Sequence, residues 1–136
     1  MIGLDSNLIL RFLTQDDFGQ TERTAKFLAN ECSPARPGYI NVVVLAEVIW
    51  TLERAYKFDK GDVATTVLGL VNADELEVQH GQTVRAACER YLQSPAARRQ
   101  IGLADYLIVC LNEAAGCETT ATMDRRLAEA ADLTLV

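Results

Sequence analysis

The sequence predicts an α/β domain with a mainly parallel central sheet flanked by helices, and three observations predict it. Short runs with strand character alternate with longer runs of helical periodicity from end to end, the order that builds a parallel sheet with helices on both faces. The 136 residues suit one core of ordinary size, so residues 1–136 are expected to form one domain. Apolar residues make up 49% and charged residues 24%, the balance of a globular protein rather than a disordered one.

Met1-Ile2-Gly3-Leu4 is a short apolar strand, and Asp5-Ser6-Asn7 supplies helix-capping residue types ahead of a helix over Leu8–Leu13. A second helix is expected from about Gln20 to Glu31, with Phe27 and Leu28 on its inner face, until Ser33-Pro34-Ala35-Arg36-Pro37-Gly38 breaks it as a loop. Tyr39-Ile40-Asn41 is a brief strand feeding a helix from about Val43 to Tyr56, and a further helix spans about Lys60 to Val71. Leu76-Glu77-Val78 alternates like a strand, and Val84 to Leu92 has helical periodicity that ends before Ser94-Pro95. Leu103 to Ala115 is the most apolar helix, stopped by Gly116. Thr119–Thr122 is β-branched and strand-like, Asp124 to Ala131 is helical, and Leu133-Thr134-Leu135-Val136 is a final strand.

The four cysteines are scattered without a CxxC pair, and they are expected to be reduced core residues. No signal peptide opens the chain and no apolar run is long enough for a bilayer, which predicts a cytoplasmic protein with no membrane partner. The net charge of -6 is the reverse of the signature of a protein that grips nucleic acid by charge alone. Carboxylates converging on a divalent ion would invert that field locally, because the metal itself can hold a phosphate.

Four acids fall where α/β folds present functional groups, at strand ends and helix starts. Asp5 ends the first strand. Glu47 interrupts the apolar run Val42 to Trp50, where an acid is seldom buried unless paired or bound to metal. Asp105 stands near the start of the most apolar helix, and Asp124 follows the Thr119–Thr122 strand. Each has a structural alternative: Asp5 and Asp124 as helix caps, Asp105 as an acid favoured by a helix dipole, Glu47 as part of a solvated face with Thr51 and Arg54. Taken together, four such acids match the oxygen donors that Mg²⁺ or Mn²⁺ prefers, whereas a lone histidine, His80, argues against a histidine-rich zinc centre. Convergence would make Asp5→Asn stabilising in the metal-free protein by relieving repulsion; capping alone would make it nearly neutral.

Nearly the whole chain resembles the PIN-domain nucleases, and within them the VapC-type toxins of prokaryotic toxin–antitoxin pairs. The most specific piece runs from Ile2-Gly3-Leu4-Asp5-Ser6-Asn7 through Arg11-Phe12-Leu13 to Asp16-Asp17. Leu45-Ala46-Glu47-Val48, Leu103-Ala104-Asp105-Tyr106 and Thr122-Met123-Asp124-Arg125 resemble the second, third and fourth motifs. The resemblance implies that Asp5, Glu47 and Asp105 are catalytic metal ligands, that Asp124 completes the set directly or through water, and that Ser6 and Asn7 are supporting polar residues. Some relatives carry a further acid about one turn before the third motif's aspartate, where this chain has Gly102-Leu103; no fifth acid is assigned. The same resemblance implies a Mg²⁺- or Mn²⁺-dependent ribonuclease, a homodimer neutralised by a small cognate antitoxin. Arg98 and Arg99, just before the third motif, could steer RNA, although a solvated loop is the favoured reading for such a pair and neither is assigned to the site.

Three rivals are weighed. A haloacid-dehalogenase-like phosphatase also places an aspartate after its first strand, but needs a second aspartate two residues on, where this chain has Asn7. A response-regulator receiver needs adjacent acids near the first strand's end, and Asp16-Asp17 come too late. A non-catalytic RNA- or protein-binding PIN module would show no metal-stimulated cleavage.

Overall fold

The start of the first helix shows how the chain builds its elements. Asp5 is extended (φ -92, ψ 171) and its side chain accepts the Leu8 backbone N–H, so the chain turns directly out of β1 (Ile2–Gly3) into α1 (Ser6–Thr14). The same device recurs. Asp17 caps α2 (Phe18–Glu31), and Asn41 links β2 (Gly38–Ile40) to α3 (Val42–Arg54) by accepting from Val44 N–H. Then follow α4 (Lys60–Asn72), β3 (Leu76–Val78), α5 (Gly81–Leu92), α6 (Leu103–Ala114), β4 (Ala121–Thr122), α7 (Arg125–Ala131) and β5 (Thr134–Leu135). This computed structural model describes residues 1–94 and 101–136.

The chain divides into two compact units: Met1–Phe58 with Gly69–Gly81, and Asp59–Leu68 with Gln82–Val136. In the first, β1, β2 and β3 form a parallel ladder in that order, with Ile2 opposite Gly38 and Gly38 opposite Leu76. Short strands joined through helices suit this topology, because parallel neighbours need a long crossover. Helix α1 packs against α2 and α3. Leu45, Val48, Ile49 and Leu52 form the buried face of α3, Ile9 and Leu10 that of α1, and Ile40 is fully buried in β2. Gly38 is needed where it stands, since a Cβ there would lie 2.6 Å from Leu4 Cδ1 and 3.1 Å from Cys32 Sγ.

In the second unit, α5 buries Val84, Ala87, Cys88 and Tyr91, and α6 buries Leu103, Tyr106, Leu107, Val109 and Cys110. The Tyr91 and Tyr106 rings meet edge to face at 5.8 Å, and the Tyr106 hydroxyl shares a 2.6 Å hydrogen bond with Ser94. Helix α6 ends at Gly116, whose φ of +93 is the left-handed turn a glycine makes without strain. Strands β4 and β5 pair in parallel, Ala121 with Thr134 and Thr122 with Leu135.

The expected α/β class and parallel pairing are present, and every predicted element appears. Four details differ. The described strands form two ladders, of three and two strands. Asn41 is the cap of α3 rather than the end of a strand. On α2 the inward pair is Thr24 with Leu28, one turn apart, and Phe27 stays 36% exposed. All four cysteines are free, but only Cys32, Cys88 and Cys110 are buried; Cys117 lies exposed just beyond Gly116. No described helix is long and apolar enough to cross a membrane.

Candidate active site

Asp5 and Glu47 belong to the first unit. The cap bond engages Oδ1 of Asp5 at 3.0 Å from Leu8 N, so the carboxylate has a second oxygen to offer, and the residue is exposed at the carboxyl end of β1. Neighbouring β2 delivers Asn41 to its own carboxyl end in the same way: exposed, with Oδ1 accepting from Val44 N–H at 2.9 Å. Two parallel strands thus end in two polar helix caps, the place where α/β sheets bind ligands. Asn41 had a legible signal in the capping preference of asparagine before an apolar run.

Glu47 lies in the middle of α3 on the face opposite Leu45, Val48, Ile49 and Leu52, and it is exposed. Helical spacing puts Val43, Trp50 and Arg54 on that same outward face. The carboxylate makes no hydrogen bond or ion pair among the described residues; its backbone oxygen accepts from the Thr51 hydroxyl at 2.8 Å. The apolar run around Glu47 therefore reflects a helix buried on one side, not a buried acid.

Asp105 and Asp124 belong to the second unit. Asp105 is half-buried as the third residue of α6, where Oδ2 accepts the Gly102 backbone N–H at 3.0 Å. Asp124 caps α7, accepting from Arg126 N at 2.9 Å and Leu127 N at 3.1 Å on Oδ1. Three of the four predicted acids thus serve as helix-terminus acceptors, as foreseen for Asp5 and Asp124, whereas Asp105 was expected only to gain from the helix dipole; in each case these bonds engage one oxygen of two. Capping and ligation are compatible, since a carboxylate has two oxygens and about four acceptor positions.

Ser6 opens α1 half-buried, and exposed Asn7 lines a shallow cleft between α1 and α2 with Leu8, Arg11, Gln20, Arg23 and Thr24. The donor set is chemically suited to a hard divalent cation. Among the described residues, however, no three His, Cys, Asp or Glu side chains are gathered as a ligand set. Arg98 and Arg99 lie outside the described residues.

Sequence reasoning missed the role of Asp16. Its Oδ1 accepts from Arg11 at 2.6 Å and from the Thr14 hydroxyl at 3.1 Å, and its Oδ2 accepts from the Tyr56 hydroxyl at 2.8 Å. These bonds, that from Tyr56 foremost, hold its carboxyl below the usual aspartate range, and the hydrogen bond to Asp16 in turn raises Arg11. Asp16 thereby ties the end of α1 to the residues after α3. The turn that aims it depends on Gln15 in the left-handed region (φ 52), which residue types alone do not announce. The half-exposed Trp50, with the Arg54 guanidinium 5.8 Å from its ring centroid, was likewise hidden in an apolar run.

Compared with known proteins, residues 2–133 match the model of the PIN domain family. No curated protein matches the chain.

Proposed function

The chain belongs to the PIN domain family, whose members are generally nucleases, and we propose that it is a Mg²⁺- or Mn²⁺-dependent ribonuclease, the toxin of a type II toxin–antitoxin pair. The observation that carries the reading is Asp5, an exposed carboxylate at the carboxyl end of β1 whose cap bond uses one oxygen and leaves the other for a ligand. Glu47, Asp105 and Asp124 match the remaining family motifs, and with Asp5 they would hold the ion through carboxylate oxygens. Ser6 and Asn7 would support them. A bound divalent ion supplies a water of lowered pKa and stabilises charge on the phosphate, so no side-chain nucleophile is required. Asp5, Asp105 and Asp124 hold their carboxylates at helix termini, where backbone N–H groups fix one oxygen and limit rotation of the other. By resemblance the functional form is a homodimer, blocked by a small cognate antitoxin and acting in the cytoplasm.

The test is cleavage of RNA by purified protein with Mg²⁺ or Mn²⁺ and with EDTA, alongside Asp5→Asn, Glu47→Gln and Asp105→Asn. Cleavage that needs the metal and fails in all three variants is expected. Activity that survives chelation would remove the metal mechanism, and absence of cleavage under any condition would favour a binding module.

A further inference from the structure

The outward face of α3 carries Val43, Glu47, Trp50 and Arg54 within one narrow arc, opposite the buried face. Trp50 leaves 52% of its surface to solvent, unusual for the largest apolar side chain, and Val43 leaves 66%. Arg54 sits over the indole at 5.8 Å, within cation–π range, so the ring is held as a plane with positive charge beside it. One helical turn separates this plane from Glu47.

We propose that Trp50, oriented by Arg54, is a substrate-binding residue that stacks on an unpaired RNA base next to the scissile phosphate. The inference rests on the nuclease reading, in which Glu47 must stay open to substrate, and adds a residue that holds the base beside it. Aromatic faces and arginine planes are how proteins hold unstacked bases, and the arginine gives a locally favourable charge for the backbone on a chain of net -6. The other occupant to consider is a second copy of the chain. Tryptophan and arginine suit such a contact, but it would also cover the open Glu47, and glutamate is depleted at interface cores.

Trp50 is the only tryptophan, so its fluorescence reports on this position alone. The wild-type protein is titrated in Ca²⁺ with a short oligo(A) and with an abasic ribose-phosphate strand of equal length, while cleavage of RNA is assayed separately in Mg²⁺ and Mn²⁺. The oligo(A) is expected to quench the emission and the abasic strand to leave it unchanged. Binding of labelled oligo(A), read by anisotropy, should weaken roughly tenfold or more in Trp50→Ala and little in Trp50→Phe, which keeps a stacking face. Unchanged emission from a protein that cleaves RNA overturns this inference and leaves the nuclease reading standing. Neither cleavage nor quenching overturns both. Equal quenching by the abasic strand assigns the effect to phosphate and overturns base stacking. A dimer that Trp50→Ala converts to monomer, with no quenching by oligo(A), gives the face to a second copy and also overturns it.

Discussion

Replacing Asp5 separates its two duties, because the cap and the proposed ligand use different chemistry of one side chain. The cap is a single acceptor bond from Leu8 N–H to Oδ1 at 3.0 Å. Convergence of the acids would make Asp5→Asn stabilising, but no cluster of acids is gathered around Asp5 among the described residues; asparagine retains that carbonyl oxygen, so Asp5→Asn keeps the bond and loses only the charge at the N-terminus of α1, about 0.5 kcal/mol at an exposed helix end. Asp5→Ala loses the acceptor as well, and the usual cost of deleting an N-cap is about 1 kcal/mol. For a chain of this size that lowers the melting temperature by roughly 3 to 5 °C. Both variants are expected to lose RNA cleavage, so activity and stability should come apart in Asp5→Asn and fall together in Asp5→Ala. The assay is thermal unfolding by circular dichroism in EDTA, paired with cleavage in Mn²⁺. Added Mn²⁺ should raise the wild-type midpoint and do much less for Asp5→Asn, since a ligand bound only by the folded state stabilises it by mass action. An Asp5→Asn protein as unstable as Asp5→Ala would refute the cap geometry. One clearly more stable than wild type would show that repulsion among acids dominates at this position, and full cleavage by Asp5→Asn would reduce Asp5 to a cap.

Asp16→Asn should retain RNA cleavage but lose stability near neutral pH, because its bonds to Tyr56, Arg11 and Thr14 tie α1 to the chain after α3. The pH dependence has a definite sign. A carboxyl held below its ordinary value of 3.8 stabilises the fold above that value and loses the contribution as pH falls through the lower folded-state value, so the wild type's advantage should shrink only in that acid range. An advantage constant down to the lowest pH that the fold survives would count against the charged network. Gly38→Ala should destabilise by about 1 to 3 kcal/mol in chemical denaturation, since its Cβ would press on Leu4 and Cys32; an unchanged midpoint would mean that this corner yields freely. Native iodoacetamide treatment followed by mass spectrometry should label Cys117 first. Burial pushes the Cys88 thiol up to about 12 and raises Cys110 as well, so neither supplies thiolate; early labelling of Cys88 would contradict its burial.

Much of this fold was legible because its punctuation is local. Asp5, Asp17, Asn41 and Asp124 each turn the chain into a helix with one side-chain oxygen, and Gly116 ends α6 through a backbone angle that glycine reaches freely. What the residue order hid depends on partners distant in sequence. Asp16 acquires its role only when Tyr56 arrives, 40 residues later. Phe27 lies outside the buried Thr24–Leu28 pair because packing, not hydrophobicity, chose the inward stripe of α2. Glu47 and Trp50 stand in an apolar run that left a buried acid and a solvated face both open, and α3 buries one side only. Asp5, Asp105 and Asp124 were visible at strand or helix ends, and so was the capping role of Asp5 and Asp124. Capping and ligation put acids in the same places, which is why position alone did not divide them.

The parallel ladder of the first unit also bears on how the chain reaches its native state. Strand β2 lies between β1 and β3, and those two share no hydrogen bonds with each other. Ile2 must wait for Gly38, and Leu76 has no partner until Gly38 is already in line. Closing such long loops costs entropy before any ladder bond forms, so β2 is the gate through which folding of this unit has to pass. Helical circular dichroism should therefore develop ahead of strand protection in pulsed hydrogen exchange. A substitution that weakens Gly38–Ile40 should slow refolding, whereas one at the outer face of α2 should mainly hasten unfolding.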